Sequence, residues 1–287
     1  MYLPDELPAA RVLITVKAYP LPSSKYEELV CTAGILPDGK WIRIYPIPFR
    51  ALPYVERYQK YYWITINLKR NVSDFRPESY RPCNGMDEHI QIGERIDTSN
   101  GWEERKQYIL KEVFTALNDL IKRAKSQERK SLGTLKPAEI IDFVVEPGER
   151  QWRKEWLNQL RQYNLFELDE QGQGKERQII RKVPYKYFYK FLSQGDTRPH
   201  KLMIEDWELG ALYWNCLRNT GGDEDAANKL VRRKYFDEFV AQKDLYLFLG
   251  TTKAHHMRSE NPFIIIGIFY PPKAEEKKLD VQQLTMF

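Results

Sequence analysis

The stretch 28-ELVCTAGILPDGKWIRIYPI-47 has the pattern of a β-hairpin. An apolar run comes before 37-PDGK-40, whose proline, aspartate and glycine are turn residues, and 41-WIRIYPI-47 then alternates apolar and polar side chains. Further β-branched or aromatic runs lie on either side, at 11–19, 61–70 and 88–96. The first third of the chain is therefore predicted to form a small sheet or barrel.

The remainder of the chain mixes helical and strand patterns. Apolar residues recur at helical spacing over 98–125, which predicts one helix. The other predicted elements are helices at 149–163, 207–219 and 223–242 and strands at 138–147, 177–192, 244–250 and 262–270. This uneven order predicts a mixed α+β fold rather than a doubly wound sheet. We expect a β-rich domain at 1–97, a helical and mixed α/β region at 98–272, and a flexible charged tail at 273–287.

Composition limits the class of protein. The 287 residues are 42% hydrophobic and carry a net charge of +5, so a packed core is expected and a polyanionic partner is compatible with the charge. The cysteines Cys31, Cys83 and Cys216 are too few and too far apart for a disulfide framework or a cysteine zinc site, which favours a reducing cytosol. The longest apolar run, 262–272, is too short to span a membrane, so no membrane insertion is expected.

The second strand of the hairpin carries a candidate nucleic-acid face. In strand geometry Trp41, Arg43 and Tyr45 share one side, with Arg50 shortly after. An aromatic and basic face of this kind is typical of OB-like and RNA-recognition surfaces. The alternative is that Trp41 and Tyr45 cover a second core while Arg43 reaches the solvent.

Two polar loops are candidate phosphate sites. The first follows a strand and contains Lys17, Ser23, Ser24, Lys25 and Tyr26. The second, 74-DFRPESYRP-82, contains Asp74, Arg76, Glu78, Ser79 and Arg81 between prolines. Arginines that flank a hydroxyl suit a phosphate clamp, and a pair of carboxylates such as Asp74 and Glu78 suits catalysis with Mg²⁺. The alternatives are a solvated loop and a salt-bridge network.

A third candidate, 250-GTTKAHHMRSENP-262, follows a predicted buried strand. It brings together Thr251, Thr252, His255, His256 and Arg258. Adjacent histidines diverge on an extended backbone, so no metal site is predicted, and a histidine acting as general acid or within a phosphate pocket is the functional interpretation. A plain surface loop is the alternative.

The pentapeptide 283-QLTMF-287 resembles the binding motif of the bacterial β sliding clamp, whose pattern is Gln-Leu-Ser/Asp-Leu-Phe. Gln283, Leu284 and Phe287 match that pattern, Thr285 stands at the serine or aspartate position, and Met286 replaces leucine. The resemblance implies a clamp as partner and a place in bacterial DNA replication, repair or phage defence. The charged spacer 273–280 would keep such a peptide accessible, and the alternative is that the peptide folds back onto its own chain.

Three functional hypotheses follow. The first is a cytosolic DNA-associated protein that is recruited to the clamp and binds nucleic acid or a nucleotide with its body. The second is a hydrolase or transferase acting on nucleic acid or nucleotide phosphates, with His255, His256 and Arg258 facing the 74–81 loop across one pocket. The third is a protein-interaction module with a self-docking tail.

Overall fold

The computed structural model describes residues 3–19, 21–23, 27–47, 49, 52–153 and 180–273. The fold class is α+β, as the sequence predicts. The strands are β1 (Glu6–Lys17), β2 (Leu21–Ser23), β3 (Glu27–Ile35), β4 (Trp41–Ile47), β5 (Tyr62–Arg70), β6 (Ser79–Pro82), β7 (Gln91–Arg95), β8 (Val113–Phe114), β9 (Leu132–Leu135), β10 (Glu139–Pro147), β11 (Tyr185–Leu192), β12 (His200–Met203), β13 (Tyr246–Thr251) and β14 (Phe263–Phe269). The helices are α1 (Ser99–Ile109), α2 (Leu117–Lys125), α3 (Trp207–Asn219), α4 (Glu224–Arg232), a π-helix (Arg233–Glu238) and α5 (Phe239–Gln242).

The first third of the chain closes into a barrel. Strands β1, β3, β4, β6 and β5 pair in that order, and β5 pairs back to β1. Each neighbouring pair is antiparallel except β4 and β6, which run parallel. Counted along the chain, the five strands therefore follow the cyclic order 1-2-3-5-4-1. The predicted hairpin is confirmed as β3 and β4, joined by the turn at 37–40.

A second ring repeats this order. Strand β10 pairs with β11 and β11 with β12, while β14 pairs with β13 and β13 with β9. A parallel bridge between Ile204 and Ile265 joins β12 to β14, and the backbone N–H of Glu205 donates to the Ile265 carbonyl at 2.7 Å. Strands β9 and β10 are successive parts of one run, 132–147, and together count as the first strand of this ring. The order of pairing is therefore again 1-2-3-5-4-1. The helices α3 to α5 lie between the third and fourth strands.

Both rings have the connectivity of the OB-fold, a five-stranded Greek-key barrel. Successive side chains along a strand point to opposite sides, and those that point inward fill the barrel. Examples are Ile14, Ile44 and Ile64 in the first barrel and Phe143 and Tyr189 in the second. Fully burying a large apolar side chain of this kind stabilises the fold by about 1.5–3 kcal/mol. In each barrel the residues that alternate with these apolar ones along the same strands therefore face outward.

One predicted element is wrong and another is only partly described. The predicted helix over 98–125 ends at Ile109 as α1 and resumes as α2, because β8 intervenes and pairs in parallel with β9. The Lys136 N–H donates to the Phe114 carbonyl at 2.8 Å, so a bond to a distant strand replaces the local helical one. Most of the predicted helix at 149–163 lies outside the described residues, which stop at Arg153 and resume at Ile180.

Candidate nucleic-acid interface

The face predicted to bind nucleic acid is the contact surface between the two barrels. Trp41 is 5% exposed and packs edge-on against Phe248 of β13, with ring centroids 5.2 Å apart. Arg43 is 3% exposed, and its guanidinium donates to the Ser131 hydroxyl at 2.8 Å. Tyr45 is 40% exposed. The prediction is therefore wrong for Trp41 and Arg43, because the outer surface of the second barrel covers them.

The proline-rich loop between β5 and β6 is held by its own charges. Arg76 Nε donates to Asp74 Oδ1 at 2.9 Å, and the Ser79 hydroxyl donates to Asp74 Oδ2 at 2.8 Å. Burial raises the pKa of Asp74, but the hydrogen bonds from Arg76 outweigh it and lower that pKa to about 2. Arg76 Nη1 also donates to the Thr251 carbonyl of the second barrel. A phosphate clamp of Arg76 and Ser79 and a catalytic Asp74 are therefore wrong predictions, since these buried groups satisfy one another.

The second predicted carboxylate, Glu78, also has a structural partner. It accepts hydrogen bonds from the backbone N–H and the hydroxyl of Ser131 at 3.0 Å and 2.8 Å. Among the described residues, no group of three or more histidine, cysteine, aspartate or glutamate side chains comes together in a way that would hold a metal ion. Arg81 is exposed on β6, where its predicted phosphate contact stays a prediction.

The histidine loop contains one buried and one exposed imidazole. His256 is 0% exposed, and its Nε2 lies 3.0 Å from the Ala124 carbonyl, to which it must donate. Its Nδ1 then accepts from the Thr251 hydroxyl at 2.7 Å. Burial lowers the pKa of His256, which keeps the ring neutral. Catalysis by His256 and phosphate binding by Thr251 are therefore wrong predictions, because both groups are buried and engaged. His255 is exposed, as is the neighbouring Arg258.

These two loops are equivalent parts of the two barrels, each joining the fourth strand to the fifth. They meet as the hydrolase hypothesis requires, through direct contacts between their side chains. The Phe75 ring lies 5.3 Å from the His256 ring, and Lys125 Nζ donates to the His256 carbonyl at 2.8 Å. The half-buried Thr252 belongs to the same loop. The contact joins the barrels, and Arg76 Nη1 and the Thr251 carbonyl belong to it.

Several candidate residues lie at or beyond the edge of the described part of the chain. Lys17 ends β1 with its Nζ 4.5 Å from the Phe49 ring centre, and burial together with the charge of Lys60 lowers the pKa of Lys17 to about 8. The backbone of Ser23 belongs to β2. The residues outside the described part are Ser24, Lys25, Tyr26, Arg50, Gln283, Leu284, Met286 and Phe287. Their predicted roles stay predictions.

The structure presents a different aromatic and basic surface, on the second barrel. Along β11, Tyr187 and Tyr189 point into the core, so Lys186, Phe188 and Lys190 point outward. We call the outer side of β10, β11 and β12 the open face. The signal was present in the sequence, because 185-YKYFYKFL-192 alternates regularly, but sequence alone does not tell which barrel has its outer side covered.

A neighbouring strand completes the open face. Lys201 of β12 lies opposite Lys190, and its Nζ lies 4.4 Å from the centre of the Phe188 ring. The side chain of Lys201 is 42% exposed and pairs with Glu146 on β10. Lys186 and Lys190 are exposed, and Phe188 is half-buried. This arrangement sets an aromatic platform among three ammonium groups.

A cleft of about 610 Å³ lies elsewhere, between the first barrel and α2. Its charges are paired with one another. Arg123 reaches Glu112 and Glu128 at 2.7 Å each, and Lys130 reaches Glu112 at 2.7 Å. These ion pairs give the cleft no surplus of positive charge for a polyanion.

None of the helices in the described part of the chain is long and apolar enough to cross a membrane.

In class, the protein is a pair of OB-type barrels with an aromatic and basic face on the second one. The chain belongs to the family described as Domain of unknown function (DUF8757), whose model matches residues 113–286. A second family model, Domain of unknown function (DUF8758), matches residues 8–111. No curated protein matches the chain.

Proposed function

We propose that this protein binds single-stranded nucleic acid on the open face of its second barrel. The observation that carries the proposal is the row of Lys186, Phe188 and Lys190 on the second strand of an OB-type barrel, with Lys201 beside them on the third. The second and third strands are where OB-folds bind oligonucleotides. On the third strand of the first barrel, Trp41 and Arg43 are covered.

The chemistry favours a single strand over a duplex. A ring on an outward face stacks on an unpaired base whatever its sequence, and surrounding ammonium groups neutralise the backbone phosphates. In a duplex the bases already stack on one another, so the Phe188 ring would find no free base. The nearest acids on the face, Glu146 and Asp142, are already paired with Lys201 and Arg232.

The test compares two variants with equal loss of charge. One replaces both Lys186 and Lys190 by glutamine, and the control makes the same replacement at Lys122 of α2 and Lys234 of the π-helix. With a fluorescent twelve-nucleotide dT strand at about 0.1 M salt, we expect about tenfold weaker binding for the face variant. The slope of log affinity against log salt should shrink by roughly 1.4, because each phosphate that a lysine neutralises on a single strand adds about 0.7 to that slope.

Phe188 provides the second arm of that test. Phe188→Ala should weaken binding about tenfold without changing the salt slope, because stacking of a base contributes about 1–3 kcal/mol and releases no counterions. Equal affinities for the face variant, the control variant and the unchanged protein would refute the proposal.

We also propose that residues 283–287 recruit the protein to the β sliding clamp, which places the strand-binding body in bacterial replication, repair or phage defence. The support is the match of Gln283, Leu284 and Phe287 to the clamp motif. A titration against a bacterial clamp should give micromolar binding that Phe287→Ala abolishes and Thr285→Ser preserves. Unchanged clamp binding by Phe287→Ala would refute this recruitment. If the tail docks on its own chain instead, deletion of residues 283–287 should lower the stability of the protein.

A further inference from the structure

We infer that the place where the two barrels' loops meet binds single-stranded nucleic acid through the ring of Phe75 and the guanidinium of Arg129. We call this place the loop junction, and it consists of residues 71–78 of the first barrel, 252–262 of the second, and the turn 126–129 between α2 and β9. The inference rests on the proposed function for its ligand class. It adds a contact on the first barrel to the open face of the second.

The loop junction carries an aromatic ring that reaches the solvent. Phe75 is 39% exposed. Its ring meets the His256 ring nearly at right angles, at 71°, so this contact takes an edge or a single face of Phe75. Met257, the residue after His256, is 53% exposed. A ring with a face open to the solvent can stack on an unpaired base.

Arg129 places a positive charge beside that ring. Its guanidinium carbon lies 5.9 Å from the centre of the Phe75 ring, near the outer limit of a cation–π contact. At that distance the arginine lies at the side of the ring and leaves the exposed part of Phe75 open. Arg129 is itself exposed. A base stacked on Phe75 would therefore bring its phosphate close to an accessible guanidinium.

The backbone at Arg129 has an unusual conformation. Its φ angle is 51°, in the left-handed region that favours glycine, and its N–H donates to the Ser126 carbonyl at 3.1 Å to close the turn. Residues other than glycine that are held in this region cluster at functional sites. An arginine at a position that suits glycine indicates that its side chain has a role.

The exposed charges of the loop junction are mainly positive. They are Arg129, Lys253 and Arg258 against Glu260. The half-buried acids are engaged, because Glu78 accepts from the Ser131 hydroxyl at 2.8 Å and Glu128 reaches Arg123 at 2.7 Å. Among the described residues, this leaves an excess of exposed positive charge that suits a phosphate backbone.

The loop of the second barrel is held in place before any ligand binds. The His256 N–H donates to the Thr252 carbonyl at 3.0 Å, which forms one helical turn. Lys125 Nζ of α2 donates to the carbonyls of His256 and Ser259, at 2.8 Å and 2.5 Å. A surface that is already ordered lowers the entropy cost of binding.

The loop junction lies at one end of the open face. The parallel bridge joins Ile204 to Ile265, and three residues earlier on each side are Lys201, on the open face, and Pro262, which ends the loop. Both segments therefore lead back to the same end of the second barrel. A strand that stacks on Phe188 and passes Lys201 would reach the loop junction next.

The test uses the full chain, a fluorescent twelve-nucleotide dT strand and a matched arginine control. Phe75→Ala should weaken binding about tenfold without changing the salt slope, because stacking releases no counterions. Arg129→Gln should shrink that slope by about 0.7, the contribution of one neutralised phosphate. The control is Arg95→Gln, because Arg95 is also exposed but lies opposite Tyr62, at the end of β5 farthest from the loop junction. It should change neither quantity.

A second variant of Arg129 separates binding from a purely structural role. Arg129→Gly should weaken binding as much as Arg129→Gln does, because both remove the guanidinium. Its urea midpoint should be at least as high as that of Arg129→Gln, because glycine adopts the left-handed conformation without strain. If Arg129→Gly binds the strand like the unchanged protein, the role of Arg129 in binding is overturned.

The outcomes also separate this inference from the proposed function. If the Lys186 and Lys190 variant weakens binding while Phe75→Ala and Arg129→Gln stay within twofold of the unchanged protein, the inference is overturned and the proposed function stands. If Phe75→Ala and Arg129→Gln weaken binding while the Lys186 and Lys190 variant does not, the inference holds and the proposed function is refuted. Equal binding of a polyglutamate peptide would overturn nucleic acid as the ligand. Because Arg129→Gln leaves the ring in place, it tests the inference even if Phe75→Ala fails to fold.

Discussion

Replacing Asp206 by asparagine should destabilise the protein because it leaves a buried lysine without its main counter-ion. Lys60 comes from the first barrel and Asp206 caps α3 in the second, and Lys60 Nζ lies 2.9 Å from both carboxylate oxygens. Their side chains are 4% and 2% exposed. Burial lowers the pKa of Lys60, but the carboxylates of Asp206 and Glu208 outweigh it and raise that pKa above its usual range. The pair is therefore charged and joins the two barrels.

The magnitude follows from what remains after the change. Removing one partner of a buried ion pair costs about 3–5 kcal/mol. Glu208 stays 3.1 Å from Lys60 with a side chain that is 48% exposed, so it compensates in part. We therefore expect Asp206→Asn to lower the free energy of unfolding by about 3 kcal/mol, the lower end of that range. Asp206→Ala should cost about 1 kcal/mol more, because alanine also removes the N-cap bond to the Glu208 N–H.

Urea unfolding, followed by both indole fluorescence and circular dichroism, measures the change in the free energy of unfolding. Coincident transitions from the two signals justify a two-state free energy. Lys60→Met in the Asp206→Asn background should recover at least half of the loss, because the unpaired charge is gone. The raised pKa of Lys60 keeps its stabilisation intact below its unfolded value of about 10.4, so the loss should be the same at pH 6 and pH 9. A loss under about 1 kcal/mol, or no recovery in the double variant, would refute this account.

Three further changes test other contacts. Burial lowers the pKa of Lys17 to about 8, so the unfolded chain binds more protons between about pH 8 and 10.4, where stability should rise with pH; urea midpoints across that range should rise less in Lys17→Met. His256→Ala should cost about 2 kcal/mol and remove the stability loss that a neutral buried histidine causes below about pH 6.5, whereas His255→Ala should shift thermal unfolding by less than about 1 °C, and equal effects would contradict the buried role. Gly34→Ala should destabilise by more than about 2 kcal/mol in a denaturant titration, because a Cβ there would lie 2.4 Å from the Leu13 carbonyl oxygen, and a neutral result would show that the strands can separate.

Most of the longer strands and the helices at 207–219 and 223–242 were predictable because their signals are local, whereas β6, β8, β9 and β12 were not predicted. Turn residues at 37–40 end one strand and begin the next, and apolar alternation in 41–47 and 185–192 matches the observed β4 and β11. The helix predicted over 98–125 failed because its interruption depends on β8 pairing with a strand about twenty residues later. A helical pattern in the sequence contains no record of such a distant partner.

The candidate site shows the same difference between local signals and contacts with distant residues. The sequence found both loops that join the fourth and fifth strands of the barrels. It could not show that Arg43 and Arg76 would turn toward Ser131 and Thr251, because those partners are 88 and 175 residues away along the chain. Charged side chains that a sequence presents as available for a ligand therefore form hydrogen bonds in the contact between the barrels.

By itself the sequence determined the α+β class, the strand periods and the alternating aromatic and basic pattern of 41–47 and 185–192, because each depends on neighbours within a few residues. Only the tertiary structure decided the rest. Closing two barrels and packing one on the other buried Trp41 against Phe248 and left Phe188 on the outside. The two faces have similar local patterns, so their difference in exposure arises from burial of apolar surface between distant segments.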